Sequence, residues 1–268
     1  MNRKASRFLA YPYIIWMAGF TVIPLLMVFY YGLTDRSGAF TLANILAIGS
    51  YEHLKALWLS LLLAGVSTVI CLILAYPLAL ILRKRHIGKG SFVVFIFILP
   101  MWMNFLLRTM AWQTLLEKNG VINTFLTLLH LPNVAIINTP AAIILGMVYN
   151  FLPFMVLPIY TVLIKLDRRL IEAAQDLGAP THLVFRRVIV PLSVPGVISG
   201  ITMVFVPSVS TFVISQMLGS GKNLLIGDLI DLQFMGGAYN PHLGSAIALV
   251  MMLLIFLCMW IMNKFDDG

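Results

Sequence analysis

The stretch "EAAQDLGAP", residues 172–180, is unusually polar for the chain that contains it. Two carboxylates, Glu172 and Asp176, stand four residues apart, and Gly178 and Pro180 follow them. Of the 268 residues, 60% are hydrophobic and only 10% are charged, and the mean hydropathy is +0.96. Soluble domains of this length carry more charge, so the composition predicts a polytopic membrane protein.

The apolar residues are gathered into six stretches, each about the 20 residues that a membrane-spanning helix needs. They predict an all-α fold with six transmembrane helices. The predicted spans are residues 9–33, 56–82, 91–112, 141–164, 191–217 and 244–262. The first stretch is too long for the apolar part of a signal peptide, and we expect it to be an uncleaved anchor.

Lysine and arginine set the orientation, because cytoplasmic loops carry an excess of them. With a cytoplasmic N-terminus, 13 of the 18 basic residues fall on the inner side. The five on the outer side are Arg36, Lys55, Arg108, Lys118 and Lys222. Both termini and the 165–190 segment are therefore predicted to be cytoplasmic. This topology also explains the net charge of +8 without a nucleic-acid partner.

Clusters that would indicate metal binding or catalysis are missing from the sequence. Cys71 and Cys258 both lie in apolar stretches and are predicted to be buried thiols. The histidines are dispersed over loops on both sides, which argues against a membrane enzyme. They are His53, His86, His130, His182 and His242.

The outer loops contain more than simple connections. Residues 113–140 include apolar positions at helical spacing, which indicates a short helix at the membrane interface. Residues 218–243 are punctuated by glycine and predict a loop that re-enters or packs on the outer mouth, with an ordinary surface loop as the alternative.

Span five carries two small-residue patterns. Gly196 and Gly200 have the spacing that permits close helix packing. Ser208, Thr211 and Ser215 recur on one face, where their hydroxyls either line a polar path or bond to the carbonyls of their own helix.

The polar stretch is predicted to fold as a helix, a sharp turn and a second helix. Gly178 stands where a helix C-cap favours positive φ, and Pro180 suits the start of a new helix. The first helix has a stripe of apolar or small residues, namely Leu166, Leu170, Ala173, Ala174 and Leu177. Such a stripe indicates docking into a groove of another protein, or a helix lying on the membrane surface.

The spacing of this segment resembles the EAA loop of ABC-importer permeases, EAA-x3-G-x9-I-x-L-P. The chain supplies Glu172, Ala173, Ala174, Gly178 and Pro191 at the matching positions. Val188 and Val190 stand in place of Ile and Leu. Three longer segments, residues 98–112, 152–179 and 222–230, resemble the PotB-type permeases of spermidine/putrescine importers.

The resemblance implies a type I ABC-importer permease fold over residues 1–268, with residues 165–190 as the cytoplasmic EAA coupling loop. It also implies that Asp176 and Leu177 belong to the coupling surface. The implied location is the bacterial inner membrane, in contact with membrane lipid. The implied protein partners are a second, PotC-like permease, two copies of a PotA-like ABC ATPase, and an extracytoplasmic PotD-like binding protein.

The resemblance implies transport by alternating access with no catalytic residue in this chain. We expect no cofactor and no metal here, because ATP and Mg would bind to the partner ATPase. The stretch "GSGKN", residues 219–223, lacks the spacing and hydroxyl of a P-loop.

A polyamine is a flexible polycation that needs carboxylates or aromatic faces along its path. No Asp or Glu lies inside the predicted spans, so we expect outer acids and aromatic residues within the spans to serve. The candidate path residues are Trp102, Asn104, Tyr149, Tyr160, Glu117, Asp228 and Asp231.

Two other functions compete with polyamine import. The same class of permease carries other solutes, such as ferric ion, thiamine or an opine, and the EAA motif does not distinguish among them. A secondary transporter that works alone is favoured less, because it predicts intramembrane ionisable residues and internal repeats, and neither is evident.

Overall fold

The structure, a computed structural model, describes residues 11–84, 99–221, 223–237 and 239–264. These residues are mainly helical, and the only β-pairing among them is an isolated bridge between Thr34 and Phe40. The helices are α1 (Tyr11–Gly32), α2 (Ala43–Ala47), α3 (Tyr51–Lys84), α4 (Phe105–Leu116), α5 (Val121–Leu128), α6 (Pro140–Lys165), α7 (Arg168–Asp176), α8 (Thr181–Ser210), α9 (Val213–Gly219), α10 (Ile226–Met235) and α11 (Pro241–Lys264).

Five of these helices, α1, α3, α6, α8 and α11, are long and apolar enough to cross a membrane. They correspond to the first, second, fourth, fifth and sixth predicted spans. Residues 9–10 and 91–98 lie outside the described residues, so the third span is seen only from residue 99 onward. There the described helical residues end at Trp102, and α4 begins at Phe105 because the Asn104 side chain caps it.

The predicted boundaries of span five, 191–217, are wrong. The helix begins at Thr181 and ends at Ser210, and Thr211 has extended backbone angles (φ −67°, ψ 142°). Hydroxyl groups satisfy carbonyls at the break, since Ser210 Oγ donates to Val206 O at 3.2 Å and Ser215 Oγ donates to Phe212 O at 2.8 Å. The run of apolar residues did not predict this break, because the residues on both sides of it are also hydrophobic.

The described chain divides into two compact units. The smaller one contains residues 11–55 and 229–256. In it, Gly32 lets two helices approach, because an added β-carbon would lie 2.7 Å from Leu249 Cδ1. His242 Nδ1 lies 2.7 Å from Thr34 O and 3.0 Å from Tyr31 O, and it ties α11 to the end of α1.

The larger unit contains residues 56–228 and 257–264 of the described chain. Its apolar core is formed by side chains of α3, α6, α8 and α9. Leu63, Met147, Met155, Ile159 and Ile214 are among the fully buried residues. This core fixes the helices from which the 165–190 loop emerges.

Close packing of α6 against α8 depends on the two predicted glycines. A β-carbon on Gly196 would lie 2.9 Å from Val162 Cγ2 and 3.0 Å from Pro158 O, and one on Gly200 would lie 2.7 Å from Met155 Sδ. The packing role predicted for Gly196 and Gly200 is therefore confirmed.

Candidate functional site

The 165–190 loop folds as predicted, with two helices joined at Gly178. The Asp167 carboxylate begins α7 by accepting a hydrogen bond from Arg169 N at 2.9 Å. At the other end, Gly178 has φ +81°. Gly178 N donates to Gln175 O at 2.8 Å and Ala179 N donates to Ala174 O at 3.1 Å. This pair of bonds is a Schellman motif, which ends a helix and requires a left-handed residue.

The turn presents α7 as an exposed helix. Glu172, Ala173 and Asp176 are exposed, and the Leu177 side chain is 88% exposed. Leu170, which belongs to the same stripe, is 51% exposed. Apolar side chains displayed beside carboxylates on a short helix suit a contact with another protein.

Two features that the sequence did not reveal join this loop to the membrane helices. Residues Phe185–Ile189 form a π-helical turn within α8, a distortion often found at functional sites. Tyr76 of α3 packs edge-on against Phe185, with ring centroids 6.0 Å apart, and its hydroxyl is 2.8 Å from Ser193 Oγ. Pro191, the last motif residue, is exposed in α8 just beyond this turn.

A cavity of about 1420 Å³ is lined by the ends of α3 and α6, by α7 and by the first turns of α8. Glu172 and Tyr160 both line it. Tyr160 therefore lies near the 165–190 loop.

The remaining candidates for the substrate path have different surroundings. Trp102 is 74% exposed and is the last described helical residue before α4. Asn104 has a structural role, because its Oδ1 accepts from Leu106 N at 2.8 Å and from Leu107 N at 3.3 Å. Tyr149 packs edge-on against Trp112, with centroids 5.2 Å apart. Glu117 lines a separate cavity of about 420 Å³.

The two aspartates differ in their surroundings. Asp231 is half-buried on α10. Asp228 is 1% exposed, and its carboxylate accepts from Ser215 Oγ at 2.9 Å and from Leu225 N at 2.7 Å. Such bonds compensate a buried carboxylate, so Asp228 serves the structure of the loop.

The loop that carries Asp228 packs into the core of the larger unit. Leu225 and Ile226 are fully buried, and Ile226 N donates to Ser60 Oγ at 2.8 Å. A β-carbon on Gly227 would lie 2.7 Å from Thr211 O, so the loop reaches the break after α8. Ser208 Oγ donates to Val204 O at 2.7 Å, which favours the helix-bonding role over a polar path for that hydroxyl.

One buried cation has two nitrogens without a hydrogen-bond partner among the described residues. Arg108 is 7% exposed, and its Nε and Nη1 have no hydrogen-bond partner among the described residues. An uncompensated guanidinium in an apolar setting is costly. Among the described residues, no group of three or more His, Cys, Asp or Glu could hold a metal ion.

Comparison with known proteins identifies a family over most of the chain. Residues 73–268 match the model of the binding-protein-dependent transport system inner membrane component. The spermidine/putrescine transport system permease protein PotB of Haemophilus influenzae is 37% identical, over 96% of this chain and 93% of that protein. The inner membrane ABC transporter permease protein YdcU of Escherichia coli is 32% identical, over 81% of this chain and 73% of that protein.

Solved structures share the fold at low sequence identity. A chain of a bacterial ABC transporter for import of the acidic polysaccharide alginate superposes with a TM-score of 0.78 at 18% identity, covering 98% of this chain and 95% of that one. A chain of the MetNI methionine ABC transporter gives 0.58 at 19% identity, covering 79% and 93%. The arrangement of helices is thus that of ABC-importer permeases.

Proposed function

Because the chain belongs to the family of binding-protein-dependent transport system inner membrane components, we propose that it imports polyamines as one permease subunit of an ATP-driven transporter. The chain is a multi-pass protein of the bacterial inner membrane and not an enzyme. The observation that carries the proposal is the exposed helix α7 with its Schellman turn, in a chain 37% identical to a spermidine/putrescine permease.

The proposed role of α7 is to couple ATP hydrolysis to transport. Glu172, Ala173 and Asp176 on the helix, with Leu177 and Gly178 at its end, would meet a groove of the ATPase. This contact requires the 165–190 loop and both termini to be cytoplasmic, with six spans in all, as the distribution of basic residues predicts. The exposed Leu177 then becomes buried in the complex, which provides the driving force for docking.

The proposed assembly has four further chains. A second, homologous permease completes the pathway, two ABC ATPases bind ATP and Mg inside, and a binding protein delivers the substrate outside. Family membership supports this set, since the matched family is defined by transport that depends on a binding protein.

The mechanism is alternating access between two arrangements of the permease pair. Closure of the ATPase dimer would draw the α7 helices together and open the pathway outward, and hydrolysis would reset it. The permease contributes the difference in stability between these arrangements rather than chemistry. The firm packing of α6 on α8 would transmit motion of the loop into the membrane.

The substrate class is tested by uptake into proteoliposomes that contain the assembled transporter and its binding protein. We expect labelled spermidine or putrescine to accumulate only when ATP is enclosed with the ATPase. Accumulation of thiamine, ferric ion or an opine instead would leave the class of transporter intact and overturn the polyamine assignment. Uptake by this chain alone would overturn the ATP-driven class.

A further inference from the structure

The cavity of about 1420 Å³ beside α7 is larger than most pockets for small metabolites, which measure about 300–1,000 Å³. Its walls come from the ends of α3 and α6 and from the start of α8. All of its lining residues belong to the larger unit. Its size and place therefore suit a ligand that lies partly among the membrane helices.

The part of the cavity formed by the membrane helices is apolar. Pro77 and Leu80 of α3, Ile164 of α6 and Ile189 of α8 line it. Ile164 is 52% exposed, so the apolar wall is open to its surroundings. A free phosphate or a nucleotide gains little from contact with such a wall, whereas an acyl chain is stabilised because its apolar surface is removed from water.

The part formed by the loop and the helix ends is basic. Arg83 at the end of α3 and Arg168 at the start of α7 line the cavity together with His182 at the start of α8, and Glu172 is the single carboxylate among the described lining residues. Arg83 and Arg168 line the same cavity from different helices. A phosphate group between them would be attracted to both guanidinium groups.

We propose that this cavity binds an anionic phospholipid of the inner leaflet, with its phosphate between Arg83 and Arg168 and an acyl chain along Leu80 and Ile164. The proposal rests on the inner-side placement of the loop given above. Basic pockets between membrane helices are known sites for anionic headgroups. The lipid would tie the coupling helix α7 to the end of α3.

The test measures phospholipid retained by the assembled transporter, purified in mild detergent, by native mass spectrometry and lipid extraction. The variant Arg83→Gln/Arg168→Gln removes both phosphate partners. We expect retained phosphatidylglycerol to fall about 25-fold, since each of the two basic groups contributes about a five-fold gain in affinity. The matched control, Arg169→Gln/Arg187→Gln, removes two cations from α7 and α8 that do not line the cavity, and it should retain the lipid.

A second variant distinguishes a blocked lipid site from the effects of lost charge or misfolding in the arginine variant. Ile164→Trp fills the apolar part of the cavity and leaves all charges in place, and we expect it also to lose the lipid. Equal retention by both variants and the control would overturn the proposal. Displacement by inorganic phosphate would also overturn it, by showing a phosphate site rather than a lipid site.

A photoreactive residue at Ile164 identifies the occupant directly. Crosslinking to phospholipid supports the proposal, whereas crosslinking to the ATPase or the second permease shows that a protein segment fills the cavity and overturns it. Spermidine uptake, measured on the same preparations, separates this result from the proposed function. Loss of the lipid with normal uptake would leave the proposed polyamine import intact. Retained lipid with no uptake would leave the lipid site intact and contradict polyamine import.

Discussion

At the scale of single residues, Gly178 is required for its backbone angle and not for space. Its φ is +81°, and nothing lies within 4 Å of a β-carbon added there. We expect Gly178→Val to cost about 1–2 kcal/mol through left-handed strain and to lower ATPase-coupled uptake. Gly178→Asn is the matched control, because asparagine tolerates this conformation, and its uptake should remain near that of the wild type. Equal uptake by the two variants would contradict the Schellman role.

Arg108 is a buried side chain, and its Nε and Nη1 have no hydrogen-bond partner among the described residues of the chain. We expect Arg108→Met to raise the unfolding temperature of the purified transporter, because it removes buried polar nitrogens that lack partners there and nearly keeps the volume. Each kcal/mol gained should appear as about 2–4 °C. The exposed Lys118→Met is the control and should change little. A lower unfolding temperature for Arg108→Met would mean that a partner chain supplies an acceptor for the guanidinium.

Trp102 is the candidate for the substrate path that mutation tests most cleanly, since its 74% exposure makes a structural effect small. We expect Trp102→Ala to raise the KM for spermidine about three- to thirty-fold through loss of a cation–π contact, and Trp102→Phe to restore most of it. Trp58, which is 69% exposed on α3, provides the control Trp58→Ala. If Trp58→Ala and Trp102→Ala give the same KM, Trp102 does not contact the substrate.

At the scale of elements, the contact of α6 with α8 predicts which of its two glycines tolerates alanine better. A methyl group on Gly196 would lie 2.9 Å from the β-branched Val162 side chain and 3.0 Å from Pro158 O, whereas one on Gly200 would lie 2.7 Å from the flexible Met155 Sδ and 3.2 Å from Met155 O. We therefore expect Gly196→Ala to destabilise the protein by about 1–3 kcal/mol and Gly200→Ala by less. The control is Gly65→Ala in α3, where nothing lies within 4 Å, and it should be neutral or mildly stabilising. Thermal unfolding of the three variants checks this order, and the reverse order would contradict the packing.

The elements also show what a sequence can predict here. The helix–turn–helix at 165–190 was predictable because Gly178, Pro180 and the spacing of apolar residues are local signals. The break at Thr211 was not predictable from hydropathy, because the loop that stabilises it, with Gly227 against Thr211 O, comes from a distant part of the sequence. The burial of Asp228 has the same cause, since Ser215 compensates the carboxylate only after α9 has folded beside it.

Asn104 has a structural role that the sequence analysis missed. Its side chain caps α4, and its place on the substrate path stays a prediction. An Asn immediately before a helical apolar run is itself a signal of an N-cap, so this role was available from the sequence. The cavity beside α7 could not be predicted from the sequence, because Arg83 and Arg168, which both line it, are separated in the sequence by the whole of α6 and the outer loop.

At the scale of the whole molecule, the proposed assembly depends on α7, and reversal of one charge tests it. Glu172 is exposed on α7, and within this chain its replacement disturbs no described hydrogen bond. We expect Glu172→Lys to leave the permease in the membrane and to reduce its copurification with the ATPase, because the new cation would face a groove that receives a carboxylate. The control is Glu52→Lys, an equally exposed reversal at the start of α3, which should retain the ATPase. Retention of the ATPase and of normal uptake by Glu172→Lys would show that the exposed face of α7 is not the coupling surface.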